Sequence, residues 1–313
     1  MNCLLAMAIG FAISLVLTAV LIPILRHLKF RQEIREIGPQ WHKGKSGTPT
    51  MGGLGFIFAI VAAIIATGSG EWALVGGAVA FGAIGFIDDF IKVALKRNLG
   101  LRAWQKFSLQ LLAAIVIMVI LVDGGHVETL ISIPFSQGGV FDLGAAYIPI
   151  MAFIILGCVN AVNLTDGLDG LVSSVTMIIG LFFMIISAAA MNEGLSVSSA
   201  AMVGGILGFF VFNVHPARVF MGDTGSLFLG GMVALTAIMM GNPLILLVVG
   251  IIYILETLSV IIQVVGFKLT GRRIFKMSPI HHHFEQLGWK EGRIVWTFSA
   301  VTFAACLLAL WRL

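Results

Sequence analysis

Charge is scarce in this chain. Asp, Glu, Lys and Arg make up 11% of its 313 residues, while hydrophobic residues make up 59%. Soluble domains carry roughly 25% charged residues, and the mean hydropathy here is +1.04. These figures exclude an ordinary soluble globular domain. The bilayer is the solvent instead, and backbone groups that cannot be left unsatisfied in hydrocarbon force the spanning elements to be helices. The length suffices for about ten spans of about 20 residues each. Cysteine is sparse too. Cys3, Cys158 and Cys306 each sit in an apolar run, which gives neither metal spacing nor a disulfide framework. A basic stretch ahead of the first apolar run is missing, so that run reads as a retained transmembrane helix and not as a cleaved signal peptide. The net charge of +4 carries no nucleic-acid signal, and only its distribution is informative. Without a soluble insertion, an internal repeat or a low-complexity tract, residues 1–313 read as one integral membrane domain.

The apolar runs predict an all-α polytopic protein with spans at 3–25, 50–67, 71–90, 104–122, 147–162, 171–190, 197–213, 224–240, 244–266 and 293–311. Eighteen of the nineteen Lys and Arg fall in alternate connections, and only Arg312 is left over. The positive-inside rule then places those connections in the cytoplasm and both termini outside. One outside connection is longer than a turn. Residues 129–135 and 140–143 flank a Gly-containing turn and predict a small external β-hairpin, with Pro134 suited to an edge.

Five polar clusters break the apolar pattern, all on the basic side. Asp88 and Asp89 end the third span, where adjacent carboxyls near hydrocarbon call for a cation, a Lys or water. Asn163, Asp166 and Asp169 recur at three-residue spacing, which can align them on one face, and Gly167 and Gly170 let a ligand approach the backbone. Asp223 opens the eighth span; alone it fits an N-cap as well as a ligand. A helix N-terminus also attracts phosphate, and a carboxylate there can hold Mg²⁺ that bridges to phosphate. Asn213 and His215 sit just upstream. Lys43, Lys45, Thr48 and Thr50 combine cations and hydroxyls among glycines; this suits an anionic ligand, although the order is not that of a Walker A loop. His281, His282 and His283 lie in the last inner loop, and on an extended chain alternate side chains could not share one metal. They suit phosphate or a base better than zinc. Glu256, inside the ninth span, reads equally as a functional acid or as the partner of a hydroxyl on a neighbouring helix.

Thr48-Pro-Thr-Met-Gly-Gly53, Gly85-Phe-Ile-Asp-Asp89, Asn160-Ala-Val-Asn-Leu-Thr-Asp-Gly-Leu-Asp-Gly170, Phe220-Met-Gly-Asp-Thr-Gly-Ser226 and His281-His-His-Phe-Glu285 together resemble the motifs of the polyprenyl-phosphate N-acetylhexosamine-1-phosphate transferase superfamily. The His-His-His-Phe-Glu segment is similar to the phospho-N-acetylmuramoyl-pentapeptide-transferase branch. The resemblance implies a Mg²⁺-dependent enzyme of the bacterial inner membrane. It would move phospho-MurNAc-pentapeptide from UDP to undecaprenyl phosphate at the cytoplasmic face, giving lipid I and UMP for peptidoglycan synthesis. It further implies Asp88, Asp89 and Asp223 as catalytic acids, with Asp223 a magnesium ligand. Lys45, Thr50, Asn163, Asp166, Gly167 and Asp169 would bind the uridine and phosphate portion, Asn213 would lie near the metal-bound diphosphate, and His281, His282 and His283 near the nucleotide-sugar. A homodimer is implied as well.

The residue types suit that chemistry independently. A phosphate monoester with a second pKa of about 6 is already largely dianionic at neutral pH. The reaction therefore needs charge neutralisation and in-line positioning more than a strong base. An apolar groove open to lipid would hold the acceptor's tail, and the ninth span with the basic segment 268–276 is the expected wall. Two other readings compete. A sister enzyme transferring GlcNAc-1-phosphate would share the acids and differ in the last inner loop. An ion-coupled transporter would place its acids near the midplane on broken helices within inverted repeats.

Overall fold

The computed structural model describes residues 2–28, 30, 47–95, 99–136 and 139–312. Lys43 and Lys45 lie outside the described residues. The elements run α1 (Asn2–His27), α2 (Gly53–Thr67), α3 (Trp72–Ala94), α4 (Ala103–Asp123), β1 (Leu130–Ser132), β2 (Val140–Asp142), α5 (Tyr147–Thr165), α6 (Leu171–Ala189), α7 (Glu193–Asn213), α8 (Gly222–Met239), α9 (Leu246–Val249), α10 (Ile251–Thr270), α11 (Ile280–Gln286) and α12 (Glu291–Arg312). Among the described residues nine helices are long and apolar enough to cross a membrane. The chain is a multi-pass membrane protein, as its composition requires.

The helices differ sharply in how much protein surrounds them. Of the most apolar stretch of α8, 83% is buried, and of α7, 78%, against 28% for α1 and α12 and 22% for α10. The core is therefore built around α7 and α8, and the others present leucine, isoleucine and phenylalanine side chains to lipid. α3 packs tightly along α8, and Gly85 makes the closest approach possible: a Cβ there would overlap the backbone carbonyl of Asp223. Close backbone contact at small residues is the usual means of joining helices where the hydrophobic effect offers none. Gly85→Ala is expected to force α3 off α8 at an overpacking cost of about 1–3 kcal/mol. A lowered thermal midpoint in detergent would show this, and an unchanged midpoint would contradict it.

The hairpin forms as expected, though its strands are only three residues each. They pair antiparallel with Leu130 opposite Asp142 and Ser132 opposite Val140. Ser132 N–H donates to Gly241 O at 2.8 Å, so the hairpin sits beyond the C-terminal end of α8, far from Asp223 at its start. Asn2 lies at that same end of the bundle. It donates to Glu193 Oε1 at 2.6 Å, at the start of α7.

Three expectations are corrected. The second span does not begin at residue 50. Residues 50–52 form a non-helical lead that turns at Met51, whose φ is 69°, and α2 itself has 15 residues, about 22 Å of helix. The lead is held outside the helix by pairing with the segment before α8: Gly52 N–H donates to Phe220 O, and Phe220 N–H donates to Pro49 O, each at 2.9 Å. The ninth span is not continuous over 244–266. It breaks at Gly250, between α9 and α10. Finally, the three histidines are not in an extended loop but on α11, so their side chains fan around a helix.

Candidate active site

Four helix ends bring the polar motifs together: the C-terminal ends of α3 and α5 and the N-terminal ends of α4 and α8. Asp223 is the hub. Its Oδ2 accepts from Lys106 Nζ at 2.7 Å and from Lys92 Nζ at 2.9 Å. Its Oδ1 accepts from Asn163 Nδ2 at 2.9 Å. Asn163 Nδ2 also donates to Ser226 Oγ at 2.8 Å. The residue that could have been a mere N-cap is thus turned away from its own helix and into a charged cluster.

Asp88 and Asp89 are both buried, and the helical turn between them gives each a different task. Asp88 sits four residues before Lys92, the spacing that aligns side chains on one face, and the pair closes to 2.6 Å. Its other oxygen accepts from Leu101 N–H at 2.8 Å, which ties down the approach to α4 and hence to Lys106. Asp89 faces α8. Its Oδ2 accepts from Thr224 N–H at 2.9 Å and from Thr224 Oγ1 at 2.8 Å. A carboxylate on the first turn of a helix satisfies a free N–H and complements the helix dipole. Here it is supplied by another helix, so the same bond fastens α3 to α8. Thr50 is drawn in through the paired lead before α2, and a Cβ on Gly222 would meet both Asp89 and Thr50.

Asp88, Asp89 and Asp223 each offer an oxygen, and these atoms lie within 4.8 Å of one another. The donor set is all oxygen, and three carboxyl groups face the two ammonium groups of Lys92 and Lys106. Such a set suits a hard divalent cation that keeps further positions for phosphate oxygens. Asp166 follows α5 beside this cluster. Burial first, and then the negative charges of Asp223, Asp89 and Asp169, push its carboxyl up to about 8. A folded-state value above the unfolded 3.8 means that its stabilising contribution is complete at low pH and is lost as pH rises through about 8. Asp166→Asn is therefore expected to gain thermal stability over the parent between pH 5 and pH 9 in the ligand-free protein. An equal difference at both pH values would contradict this.

Asp169 is placed elsewhere. Its Oδ2 lies 3.0 Å from His215 Nδ1 and accepts from Ala217 N–H at 3.0 Å. Its own N–H donates to Glu291 Oε1, and Glu291 Oε2 lies 3.2 Å from His215 Nδ1. This clasp joins the 166–170 turn to the start of α12. Asn213 does not reach the acid cluster with its amide, which is engaged by Ser173 Oγ at 2.8 Å and by Val219 O at 3.0 Å. It holds the turn that leads to Asp223. On α11 the three histidines take separate partners. His281 meets Glu256 at 3.0 Å, His282 meets Glu285 at 2.6 Å, and His283 Nδ1 accepts from Lys276 N–H at 3.1 Å. Glu256 thus pairs with a histidine and not with a hydroxyl. Of these, His281 packs against Gly167 and so borders the 166–170 turn.

Lys106 is the residue that sequence reasoning passed over. It counted only as an inside-flanking charge, yet its Nζ also lies 3.4 Å from Asn163 Oδ1. Its position in the first turn of an otherwise apolar span was the available signal. The Lys expected beside Asp88 and Asp89 is Lys92, which meets both.

Comparison with known proteins bears on this geometry. Residues 71–241 match the family described as glycosyl transferase family 4, a stretch that begins just before α3 and ends just after α8. A phospho-N-acetylmuramoyl-pentapeptide-transferase of Caldicellulosiruptor bescii is 48% identical over 311 residues, covering 98% of this chain and 96% of the relative. The enzyme of that name from Clostridium beijerinckii is 50% identical over 304 residues, covering 96% and 93%. That from Geobacillus thermodenitrificans is 46% identical over 316 residues, covering 98% and 96%. With identity this high along almost the whole length, the chain belongs to the phospho-N-acetylmuramoyl-pentapeptide-transferase family of phosphoglycosyl transferases.

Proposed function

We propose that the protein transfers phospho-MurNAc-pentapeptide from UDP to undecaprenyl phosphate, releasing UMP and forming lipid I for peptidoglycan synthesis. The observation that carries this reading is the convergence of Asp88, Asp89 and Asp223 with Lys92 and Lys106 at one end of the bundle. The alternate distribution of Lys and Arg favours the cytoplasm for that end, at the bacterial plasma membrane. A site there is where a nucleotide that cannot enter the bilayer and a polyprenyl phosphate that cannot leave it are able to meet.

In the reaction an oxygen of the acceptor phosphate attacks the phosphorus that bears the sugar. A new P–O bond forms, the bond from that phosphorus to the bridging oxygen breaks, and UMP leaves. Both reactants are anionic, so the chain must first suppress their repulsion. Lys92 and Lys106 lie where they can contact the diphosphate, and preorganised charges of this kind act without reorganisation cost. The oxygen-rich set of Asp88, Asp89 and Asp223 fits Mg²⁺, with Asp223 its principal ligand. When bound, that ion would neutralise charge on the departing UMP phosphate. Asp88 orients or deprotonates the acceptor. Asn163 holds Asp223 in place, Thr50 lies on the donor side, and Lys45 is assigned to binding the donor's phosphates. Asp166, Gly167 and Asp169 shape the turn that receives the uridine, with Asp169 and Asn213 acting through the backbone they brace. His281, His282 and His283 border the sugar and nucleotide. α10, the most lipid-exposed span by burial, with the basic segment that follows it, forms the wall for the polyprenyl tail.

The test uses purified protein in detergent with Mg²⁺ and undecaprenyl phosphate. UMP release is expected with UDP-MurNAc-pentapeptide and not with UDP-GlcNAc. Turnover of UDP-GlcNAc instead would support the sister-enzyme reading.

A further inference from the structure

α10 touches the rest of the protein along a narrow stripe, Ile252, Tyr253, Glu256 and Ser259, and residues 260–270 contribute no further buried side chain. Glu256 is the one acid in that stripe. It is fully buried, as is His281, and Oε1 lies 3.0 Å from His281 Nδ1. Two ionisable side chains are thus held in an apolar place, which is costly unless each serves the other. The second atom of each, Glu256 Oε2 and His281 Nε2, has no hydrogen-bond partner among the described residues. Buried polar atoms are nearly always satisfied, so an orphaned ring nitrogen marks a place where something else is to bind or where strain is kept.

The ring nitrogen has a definite direction. Nε2 occupies the space that a side chain on Gly167 would fill, and Gly167 adjoins Asp166 in the turn beside the acid cluster. The contact to Glu256 fixes which nitrogen faces α10 and which faces this turn. A buried histidine is commonly set in this way by an acid on its far nitrogen. The ring is also packed against His282, with centroids 4.1 Å apart. Phe284 of α11 lies 4.9 Å from Trp289, just before α12, and 5.9 Å from Phe298 within it.

We infer that Glu256 is a positioning residue for donor binding: it acts through His281, holding Nε2 against the Gly167 turn so that the turn keeps the shape that receives the nucleotide-sugar. This rests on the reading that the 166–170 turn and α11 border the donor. It gives the membrane-embedded acid a task that neither lipid contact nor cation binding explains. It also joins α10, the proposed wall for the acceptor's tail, to the donor side.

The test measures steady-state kinetics of the full-length enzyme in detergent, together with equilibrium binding of UDP-MurNAc-pentapeptide. Glu256→Leu is expected to raise KM and the dissociation constant for UDP-MurNAc-pentapeptide by about tenfold or more, the scale of losing a hydrogen bond to a charged group, while KM for undecaprenyl phosphate stays within about twofold. Glu256→Gln, whose amide oxygen still accepts from the ring, is expected to recover most of the donor affinity. Gly167→Ala, which drives the ring out, is expected to reproduce the Glu256→Leu pattern with Glu256 intact. Thermal midpoints report whether each variant is folded. Donor affinity unchanged in folded Glu256→Leu would overturn the inference. So would an equal rise in both KM values, or a Glu256→Gln variant as impaired as Glu256→Leu. A parent enzyme that releases no UMP from UDP-MurNAc-pentapeptide would instead overturn the assignment of the donor.

Discussion

Asp223→Asn is expected to lower UMP release by on the order of a thousandfold, close to 4 kcal/mol of transition-state stabilisation. The size follows from how many groups converge on this carboxylate. It is the common acceptor for Lys92, Lys106 and Asn163, and it is the proposed principal ligand of Mg²⁺. The amide keeps the shape of the side chain, but it brings an N–H₂ group against two ammonium groups and removes the charge that organises them. The helix is not expected to fail, because Thr224 N–H at its start is satisfied by Asp89 and not by Asp223. Initial rates at saturating substrates check the effect, with the thermal midpoint as a control for folding. A variant retaining a tenth of parental activity would show that Asp223 is a structural charge partner only.

Lys106→Met is expected to lower kcat by on the order of a hundredfold. Methionine fills much of the volume and keeps the apolar stem, so the loss isolates the ammonium group. That group sits 2.7 Å from Asp223 Oδ2 and 3.4 Å from Asn163 Oδ1, between α4, α5 and α8. Lys92 cannot substitute for it, because Lys92 is also drawn toward Asp88 at 2.6 Å. Lys106→Arg is not expected to restore activity: the planar guanidinium is larger and demands a different hydrogen-bond fork. Rates within threefold of the parent for Lys106→Met would place this residue among the flanking charges and outside the reaction.

The span pattern was readable because hydropathy and Lys and Arg placement are properties of local sequence, and the bilayer leaves helices little alternative. The break at Gly250 was not, since it lies inside an apolar run with no polar residue to announce it. Asp88, Asp89, Asn163 and Asp223 were legible because polar groups at span ends are costly and so are informative. The partnership of Asp169 with His215 and Glu291 was invisible, as Glu291 lies 122 residues beyond Asp169 and each residue alone has an ordinary reading. Glu256 and His281 were each singled out, but nothing in the sequence says that they touch. Lys106 was hidden by its own abundance class: one more lysine on the basic side looks like topology until its neighbours are known.

Manganese binding to the purified protein, followed by electron paramagnetic resonance in the presence of UDP-MurNAc-pentapeptide, tests most directly whether the carboxyls of α3 and α8 act as one site. The expected result is a bound ion in the parent, with affinity reduced about tenfold or more in Asp223→Asn and in Asp88→Asn, since losing a ligand costs at least what losing its supporting partner does. Glu193→Gln, at the opposite end of the bundle where Glu193 accepts from Asn2, should bind manganese like the parent. Undiminished manganese affinity in Asp223→Asn would contradict the shared site, and with it the proposed route by which this protein joins its two phosphates.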